Sequence, residues 1–409
     1  MLAVLYVTAG CSATHAPIVP PAPPAPAAPS VPTAPPVVVP PLVVTPAPAP
    51  VLPSAPVVPH IALLLPLKSP DLQQAAEIVE QGFMAANKIQ PGALPIRVYS
   101  CADEGKEISA IYQQALANGA KAVVGPLTTA GVSALATLPA IPVPTLALNR
   151  VEGKASEKLY FFGLTLENEA RQIARLAAAD DLHTASIVST DTPLSKRLVQ
   201  SFSDEWKRLG GDIAAIKIFN GDTNIFSDLP AEPGSMVFVA SNAEEARKFR
   251  PFLNAVLPVY ATSQIFNGNT SMLVNYDLRD VIFVDMPWLL QPDHPAVMIY
   301  PRATPPLEVD MERLYALGID SYRLAQIMLA NRYTSDLPLD GVTGAIRLNT
   351  SHQFEREAIM ASFKQGLGLT PEALAAIKAA AKAAKDAARA AANTPAASAP
   401  VAAGTTQNP

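Results

Sequence analysis

The sequence predicts an α/β protein built from two lobes. Between residues 61 and 366, short β-branched runs alternate with helical patterns, which is the arrangement expected of parallel βαβ units. After about residue 164 the alternation starts again, so we expect two sheets in succession with a cleft between them. Pro-rich sequence precedes this region and Ala-rich sequence follows it, so the folded part is shorter than the 409-residue chain.

The first lobe is predicted over 60–164. Strand patterns lie at 61–67, 96–101, 122–126, 143–148 and 160–164, and helical patterns lie at 71–87 and 104–118. Gly119 follows the second helix, where a glycine commonly ends a helix. The last of the strands is expected to cross to the second lobe.

The second lobe is predicted over 165–285. Helical patterns lie at 167–179, 194–209 and 243–253, and strand patterns lie at 185–190, 214–219, 236–240 and 259–261. Residues 286–366 are expected to return to the first lobe, with a long helix at 308–330 and a small strand pair around 341–348.

Residues 12–59 are predicted to form a disordered tether. Of the 42 prolines in the chain, 18 lie between Pro17 and Pro59, mixed with Ala and Val. Proline fixes its own φ and pushes the preceding residue into an extended conformation, which favours polyproline II. Strands are a poor alternative, because prolines at this spacing remove the donors of a strand ladder.

Residues 367–409 are predicted to form an Ala-rich tail that begins as a helix and ends in disorder. Lys378, Lys382, Lys385 and Arg389 form one stripe on such a helix, and few large apolar residues accompany them. We expect a solvated helix. The alternative is a basic arm that contacts an anionic polymer or lipid.

Cys11 ends a short apolar start, residues 1–11, through Thr8-Ala9-Gly10-Cys11. This arrangement resembles the lipobox of bacterial lipoproteins, in which the Cys carries the acyl chains. Because no uninterrupted apolar run reaches 18 residues, we expect a lipid anchor at Cys11 and not a membrane-spanning helix. The alternative is a lone Cys in an apolar loop.

Composition argues against several classes of function. The net charge is −5 and the folded region has no Lys/Arg cluster, so a nucleic-acid partner is not expected. Cys101 is left without a Cys partner if Cys11 is acylated, and the five histidines lack metal-ligand spacing. No nucleophile elbow, P-loop or dinucleotide fingerprint is present. We therefore expect no enzyme activity, no cofactor and no metal.

A candidate cleft lies in the loops that follow the strands, because ligands bind at the carboxyl ends of open α/β sheets. Thr128 and Thr129 stand at a predicted helix start, where a hydroxyl beside free N–H groups can hold a carboxylate. Asn149 and Arg150 follow the next strand. The alternative for the threonines, which we favour, is that one of them only caps its own helix.

A series of segments in the folded region resembles the LppC/LpoA family of lipoprotein activators of penicillin-binding proteins. The broader matches are Ile61-Ala-Leu-Leu-Leu-Pro-Leu67, Val124-Gly-Pro-Leu127, Leu146-Ala-Leu-Asn149, Phe162-Gly-Leu-Thr-Leu-Glu-Asn-Glu-Ala170, Phe202-Ser-Asp-Glu-Trp-Lys-Arg-Leu-Gly-Gly211 and Asp285-Met-Pro-Trp-Leu289. The most specific are Arg313-Leu-Tyr-Ala-Leu-Gly-Ile-Asp320, Gly341-Val-Thr-Gly344 and Phe354-Glu-Arg-Glu357.

The resemblance implies a two-lobed type I periplasmic-binding-protein fold that has become a protein-binding module. It also implies a non-catalytic lipoprotein, anchored in the outer membrane and facing the periplasm, that activates a class A penicillin-binding protein in peptidoglycan synthesis. The best-known members carry a helical-repeat domain before this region, and we expect the Pro-rich segment to stand in its place here.

The alternative function is a solute-binding lipoprotein of an ABC transporter, which would close on an amino acid or a similar small molecule. Trp288 also has two interpretations. It is either a core or hinge aromatic, which we favour, or an exposed anchor for a partner.

Overall fold

The computed structural model describes residues 57–151, 156–269 and 272–392. Cys11, most of the predicted tether and the end of the predicted tail lie outside the described residues. In the part that is described, no helix combines the length and the apolar character needed to cross a bilayer.

Two sheets organise the described residues. The strands of the first sheet are β1 His60–Leu65, β2 Ile96–Ser100, β3 Ala120–Val124, β4 Thr145–Ala147, β5 Leu159–Phe162, β11 Leu339–Gly341, β12 Gly344–Leu348 and β13 Gln353–Glu357. The strands of the second are β6 Thr184–Ser189, β7 Asp212–Ile218, β8 Ser235–Ala240, β9 Val259–Ala261, β10 Val281–Asp285, β14 Ile359–Lys364 and β15 Leu367–Leu369.

Both sheets are mixed, with a parallel centre. The first runs β11-β12-β13-β5-β4-β3-β1-β2, and only the pairs of β12 with β11 and with β13 are antiparallel. The second runs β15-β14-β10-β9-β8-β6-β7, and β14 is antiparallel to both of its neighbours.

Helices lie between the strands along the chain and after the last strand. They are α1 Gln73–Ile89, α2 Glu104–Ala117, α3 Thr129–Ala136, α4 Leu166–Ala179, α5 Pro193–Arg208, α6 Ala243–Phe249, α7 Pro287–Leu290, α8 Pro295–Met298, α9 Val309–Ala330 and α10 Pro371–Ala392. Short 3-10 helices lie at Asn224–Phe226, Arg250–Phe252, Ser263–Ile265 and Tyr276–Leu278.

Strand β1 shows why the apolar run at 61–65 is continuous. Ile61, Leu63 and Leu65 pack into the core beneath α1 and α9, whereas Ala62 and Leu64 pack into the core beneath α2. A central parallel strand is buried on both faces, so it carries apolar residues at every position and not at every second one.

Helices α1 and α9 approach until their backbones touch. A Cβ on Gly82 would lie 2.0 Å from the carbonyl oxygen of Tyr315, and a Cβ on Gly318 would lie 2.2 Å from that of Val79. Neither position has room for a side chain. Gly318 belongs to Arg313–Asp320, one of the segments that most specifically resemble the LppC/LpoA family. Helix packing therefore explains part of the sequence of this segment.

The end of the folded region differs from the prediction. Residues 286–366 were expected to return to the first lobe and 367–409 to form the tail, but β14 pairs with β10 and β15 pairs with β14 in the second sheet. The chain thus crosses between lobes once more, after β13. The crossing depends on long-range pairing with β10, which leaves no local pattern in the sequence.

Helix α10 follows β15 and is exposed along almost its whole described length. Ile377 is half exposed, which agrees with the prediction of a helix that has little apolar surface to bury.

Candidate functional site

The start of α3 is the centre of the candidate cleft. The Oγ1 of Thr128 accepts a hydrogen bond of 3.0 Å from the backbone N–H of Gly131, so Thr128 caps its own helix. Thr129 is exposed in the first turn. The hydroxyl of Thr128, one of the two threonines predicted to hold a carboxylate, is therefore engaged in a hydrogen bond within the protein.

The carboxylate of Glu104 accepts from the two backbone N–H groups that immediately precede this helix. It accepts hydrogen bonds from the backbone of Leu127 at 2.9 and 3.1 Å and from that of Thr128 at 2.6 Å. Only 2% of Glu104 is exposed, and a Cβ at Gly131 would lie 2.7 Å from the Cβ of Glu104. The anion position formed by the Leu127 and Thr128 N–H groups is thus taken by the protein's own side chain.

Burial raises the pKa of Glu104 above its ordinary value, and the hydrogen bonds from Thr128 and Leu127 act in the opposite direction. Burial prevails because the carboxylate loses its water and the hydrogen bonds compensate for that loss only in part.

Asn149 supports the same loop from the next strand. Its Nδ2 donates to the carbonyl oxygen of Leu127 at 3.2 Å, and its Oδ1 accepts from the N–H of Arg150 at 2.9 Å. Asn149 therefore helps to hold the loop that carries Leu127.

Thr128, Thr129 and Asn149 line one cavity of about 430 Å³. The cavity is otherwise mainly apolar and includes Leu72, Ala75, Leu127, Leu148, Leu164, Leu314 and Leu317. Arg150 lines a different cavity. The structure thus brings three of the four predicted cleft residues together and places the fourth elsewhere.

Two polar clusters hold the lobes together beside this cleft. In the first, Arg313 on α9 pairs with the fully buried Asp285 at 2.6 Å and donates to the carbonyl oxygens of Ser263 and Phe266. Burial acts to lower the pKa of Arg313, but the charges of Asp285 and Asp310 outweigh it and raise that pKa. The guanidinium therefore stays charged at the junction.

In the second cluster, Glu169 on α4 joins Arg356 on β13 and also accepts from the N–H of Ser263 at 2.8 Å. Next to it, the amide of Gln172 makes two hydrogen bonds to the backbone of Ala358, at 2.7 and 3.0 Å. These contacts lie where the chain crosses from β13 to β14, so they fix the crossing strands against α4.

Asp320 connects two of the segments that most specifically resemble the LppC/LpoA family, Arg313–Asp320 and Gly341–Gly344. It is fully buried and accepts from the backbone N–H of Val342 at 3.2 Å, from that of Thr343 at 2.8 Å, and from the Thr343 hydroxyl at 2.7 Å. A Cβ on Gly341 would lie 2.7 Å from an Asp320 carboxylate oxygen. The turn between β11 and β12 is therefore shaped around this carboxylate.

Trp288 is a buried aromatic and not a partner anchor. Only 1% of it is exposed, its Nε1 donates to Glu312 at 2.5 Å, and the guanidinium of Arg302 lies 3.7 Å from its ring centroid. The preferred interpretation of Trp288 as a core or hinge residue is confirmed.

Cys101 is 1% exposed and its thiol is free. Burial raises the pKa of this thiol to about 12, with Glu104, Glu107 and Asp103 adding to the rise. Across the described ranges, no three His, Cys, Asp or Glu side chains are grouped so that they could hold a metal ion.

Sequence reasoning missed Glu104 and Arg356. Glu104 begins the helix predicted at 104–118, just after the strand predicted at 96–101, and a carboxylate beside a strand end was a usable signal. Arg356 gave no such signal, because its partner Glu169 is far away in sequence.

Curated relatives match most of this chain but only part of their own length. A penicillin-binding protein activator LpoA from Glaesserella parasuis is 28% identical over 318 residues, which is 75% of this chain and 54% of the relative. The LpoA of Haemophilus influenzae is 26% identical over 318 residues, with the same coverage. The chain spans about half the length of these relatives.

Solved structures share the two-lobed fold. A protein from Chromobacterium violaceum described as a "putative branched-chain amino acid ABC transporter" has 36% identity and a TM-score of 0.65, covering 75% of this chain and all of that one. Full-length LpoA from Haemophilus influenzae has 25% identity and a TM-score of 0.67, covering 76% of this chain and 59% of that one. The predicted two-lobed fold, similar to that of periplasmic binding proteins, is confirmed.

A family model described as "LppC putative lipoprotein" matches residues 54–231 and 230–366. These matches include the segments that suggested the family and cover more than half of the chain. The chain belongs to the LppC family.

Proposed function

We propose that this protein is a non-catalytic outer-membrane lipoprotein that binds and activates a class A penicillin-binding protein in peptidoglycan synthesis. Membership of the LppC family supports the proposal, as do the curated relatives named penicillin-binding protein activator LpoA. The protein acts by contact: its docking favours the active state of the synthase. The size of that shift is limited by the difference in affinity for the two states of the synthase.

The geometric observation that carries the proposal is the buried Glu104 at the start of α3. A small acid entering the cleft would find the Leu127 and Thr128 N–H groups already bonded to this carboxylate. These two N–H groups bind the protein's own side chain and so contribute to structure and not to solute recognition. This favours a macromolecular partner over a free amino acid.

The anchoring part of the proposal rests on Cys11 and the segments around it. Residues 1–11 supply the lipidation signal, Cys11 carries the lipid, and 12–59 form the tether that lets the domain at 60–366 reach the synthase from the outer membrane. A polyproline II chain extends about 3.1 Å per residue, so a tether of this length reaches well into the periplasm. Helix α10, Pro371–Ala392, follows the last strand as a solvated helix.

Exposed apolar side chains on the second lobe offer a docking surface for the synthase. Phe252 is 57% exposed on a 3-10 helix that packs against the 3-10 helix at Tyr276–Leu278. Leu273 is 89% exposed just before that second helix, and Met272 and Tyr276 are about half exposed. Soluble proteins seldom leave such groups uncovered unless a partner buries them.

The test combines purified full-length protein, with Cys11→Ser for solubility, with a purified class A penicillin-binding protein. The measurements are the binding affinity and the yield of polymerised glycan. The protein without surface substitutions is expected to bind the synthase with a dissociation constant in the micromolar range or lower. It is also expected to raise the yield of polymerised glycan. No binding in that range refutes the proposal.

The double variant Phe252→Ser/Leu273→Ser tests where the synthase docks. It is expected to lose binding by about tenfold or more, which corresponds to about 1.4 kcal/mol. The matched control is Met298→Ser, which removes an apolar side chain that is 66% exposed on α8. Equal affinity in the double variant and the control would show that the synthase docks elsewhere on the protein. That result would not contradict the proposed function.

Binding of a small solute remains the alternative function, and the 36% identity to the Chromobacterium violaceum protein favours it. In that case the cavity bordered by Thr128, Thr129 and Asn149 would hold the solute. At least one compound from a panel of amino acids and muropeptides is then expected to raise the melting temperature of the full chain, because a ligand that binds only the native state stabilises that state. An unchanged melting temperature across the panel removes this alternative.

A further inference from the structure

A second cavity, of about 580 Å³, lies beside the crossing between the lobes. Its lining includes two glutamates, Glu355 and Glu357, and five arginines: Arg150, Arg171, Arg175, Arg347 and Arg356. We call it the arginine pocket. It shares no lining residue with the cavity at Thr128.

Both lobes contribute to the arginine pocket. Arg171 and Arg175 lie one turn apart on α4, so their side chains extend from the same face of that helix. Arg347 comes from β12 and Arg356 from β13, both in the first sheet. A ligand in the pocket therefore touches α4 on one side and the β12–β13 hairpin on the other.

The cationic charge of the pocket is only partly neutralised within the described residues. Arg171 donates to the neutral amide of Asn168 at 2.7 Å. Arg175 shares the carboxylate of Glu205 with Arg208, which lies closer to it, at 2.8 Å against 3.2 Å. Arg347 pairs with Glu357, which also lines the pocket, at 3.2 Å. Among the pocket arginines, Arg175 thus shares its carboxylate with a residue outside the pocket, and in the described part of the chain Arg171 contacts only a neutral amide.

Arg356 supplies the strongest sign of a built site. Its side chain is only 5% exposed, yet it lines the pocket, and its Nε has no hydrogen-bond partner. Its other contacts are the ion pair with Glu169 and a 3.4 Å bond to the carbonyl oxygen of Thr343. A buried donor without an acceptor is costly, and an anion in the pocket would relieve that cost.

We propose that the arginine pocket binds a small polyanion through carboxylate or phosphate oxygens. Guanidinium groups match both oxyanions with two parallel hydrogen bonds, and they lose less hydration on binding than an ammonium group does. The bound polyanion links α4 to the β12–β13 hairpin and so favours one arrangement of the lobes. This site is separate from the surface proposed for the synthase.

The test measures calorimetric binding and the melting temperature of the full chain with citrate, with pyrophosphate and with chloride at matched ionic strength. Citrate or pyrophosphate is expected to bind and to raise the melting temperature, whereas chloride is not. Tighter binding of citrate assigns a carboxylate ligand, and tighter binding of pyrophosphate assigns a phosphate ligand. No binding of either up to on the order of 10 mM, equivalent to less than about 3 kcal/mol, overturns the proposal.

Variants separate the pocket from general surface charge. Arg171→Gln and Arg347→Gln are each expected to weaken the binding by about tenfold, since each removes a charged donor. The matched control is Arg197→Gln on α5, because Arg197 and Arg347 are similarly exposed and each pairs with one glutamate. If all three variants bind the anion equally, the site is not the arginine pocket.

Discussion

Arg313 and Asp285 form a 2.6 Å ion pair that joins the two lobes. Asp285 ends β10 of the second sheet and is fully buried, whereas Arg313 lies on α9, which covers the first sheet. Arg313 also binds the carbonyl oxygens of Ser263 and Phe266. These contacts place the first residue of the most specific family-like segment at the junction of the lobes.

Replacing Arg313 with Met is expected to destabilise the protein by about 3–5 kcal/mol, because the carboxylate of Asp285 is left buried without its counter-charge. Urea unfolding gives the free energy. The control is Arg197→Met, which breaks an exposed pair with Glu167 and is expected to cost less than about 1 kcal/mol. Equal losses in the two variants would show that the junction is not held by this pair.

The position of the Glu104 carboxylate at the start of α3 predicts that a small added anion can restore stability to a variant that lacks this carboxylate. Glu104→Ala removes the acceptor for the N–H groups of Leu127 and Thr128, and each buried donor left without a partner costs about 1–3 kcal/mol. Added formate is then expected to restore part of the melting temperature of this variant, because it can occupy the vacated position.

The control for the rescue is Glu244→Ala, which removes an exposed glutamate from the first turn of α6. Formate should leave both this variant and the unmodified protein unchanged. Formate that stabilises all three proteins alike would contradict a specific site at α3.

Glu104 also predicts a dependence of stability on pH. Burial raises its pKa in the folded state, so the folded protein holds the proton more tightly than the unfolded chain does. Its contribution is fully present below the unfolded pKa of about 4.5 and is lost as the pH rises through the folded pKa. Glu104→Gln, which has no charge to bury, is therefore expected to gain stability relative to the unmodified protein between pH 4 and about 7.

Unfolding free energies of the two proteins, measured at intervals across that pH range, check this expectation. A difference that is independent of pH, or one that favours Glu104 as the pH rises, would show that the hydrogen bonds from Leu127 and Thr128 outweigh burial.

The close approach of α1 and α9 predicts that Gly318 tolerates no side chain. Gly318→Ala would place a Cβ 2.2 Å from the carbonyl oxygen of Val79, so the helices must separate, and a loss of about 1–3 kcal/mol or more is expected in thermal or urea unfolding. The control is Gly105→Ala in α2, where the nearest atom to a Cβ is 3.3 Å away. Alanine favours helices, so the control should be neutral or stabilising; similar losses at both positions would contradict the packing argument.

Local sequence patterns were sufficient for most elements of the fold. The apolar run at 61–65 indicated a central strand because both of its faces are buried. Gly119 has a φ of +97°, which is the left-handed conformation expected after a helix. A cap at Thr128 or Thr129 was the favoured interpretation because such an interaction spans only three residues, and Thr128 is the one that caps the helix.

The sequence by itself determined the α/β class, the division into two lobes and the family, because hydrophobic period, turn residues and short motifs are properties of neighbouring positions. The tertiary structure decided that β14 and β15 join the second sheet, that Glu104 fills the start of α3, and that arginines from α4 and from the β12–β13 hairpin meet in one pocket. Each of these depends on contacts between residues far apart in the chain. No local pattern records such contacts, because the fold brings those residues together only when the two sheets have formed.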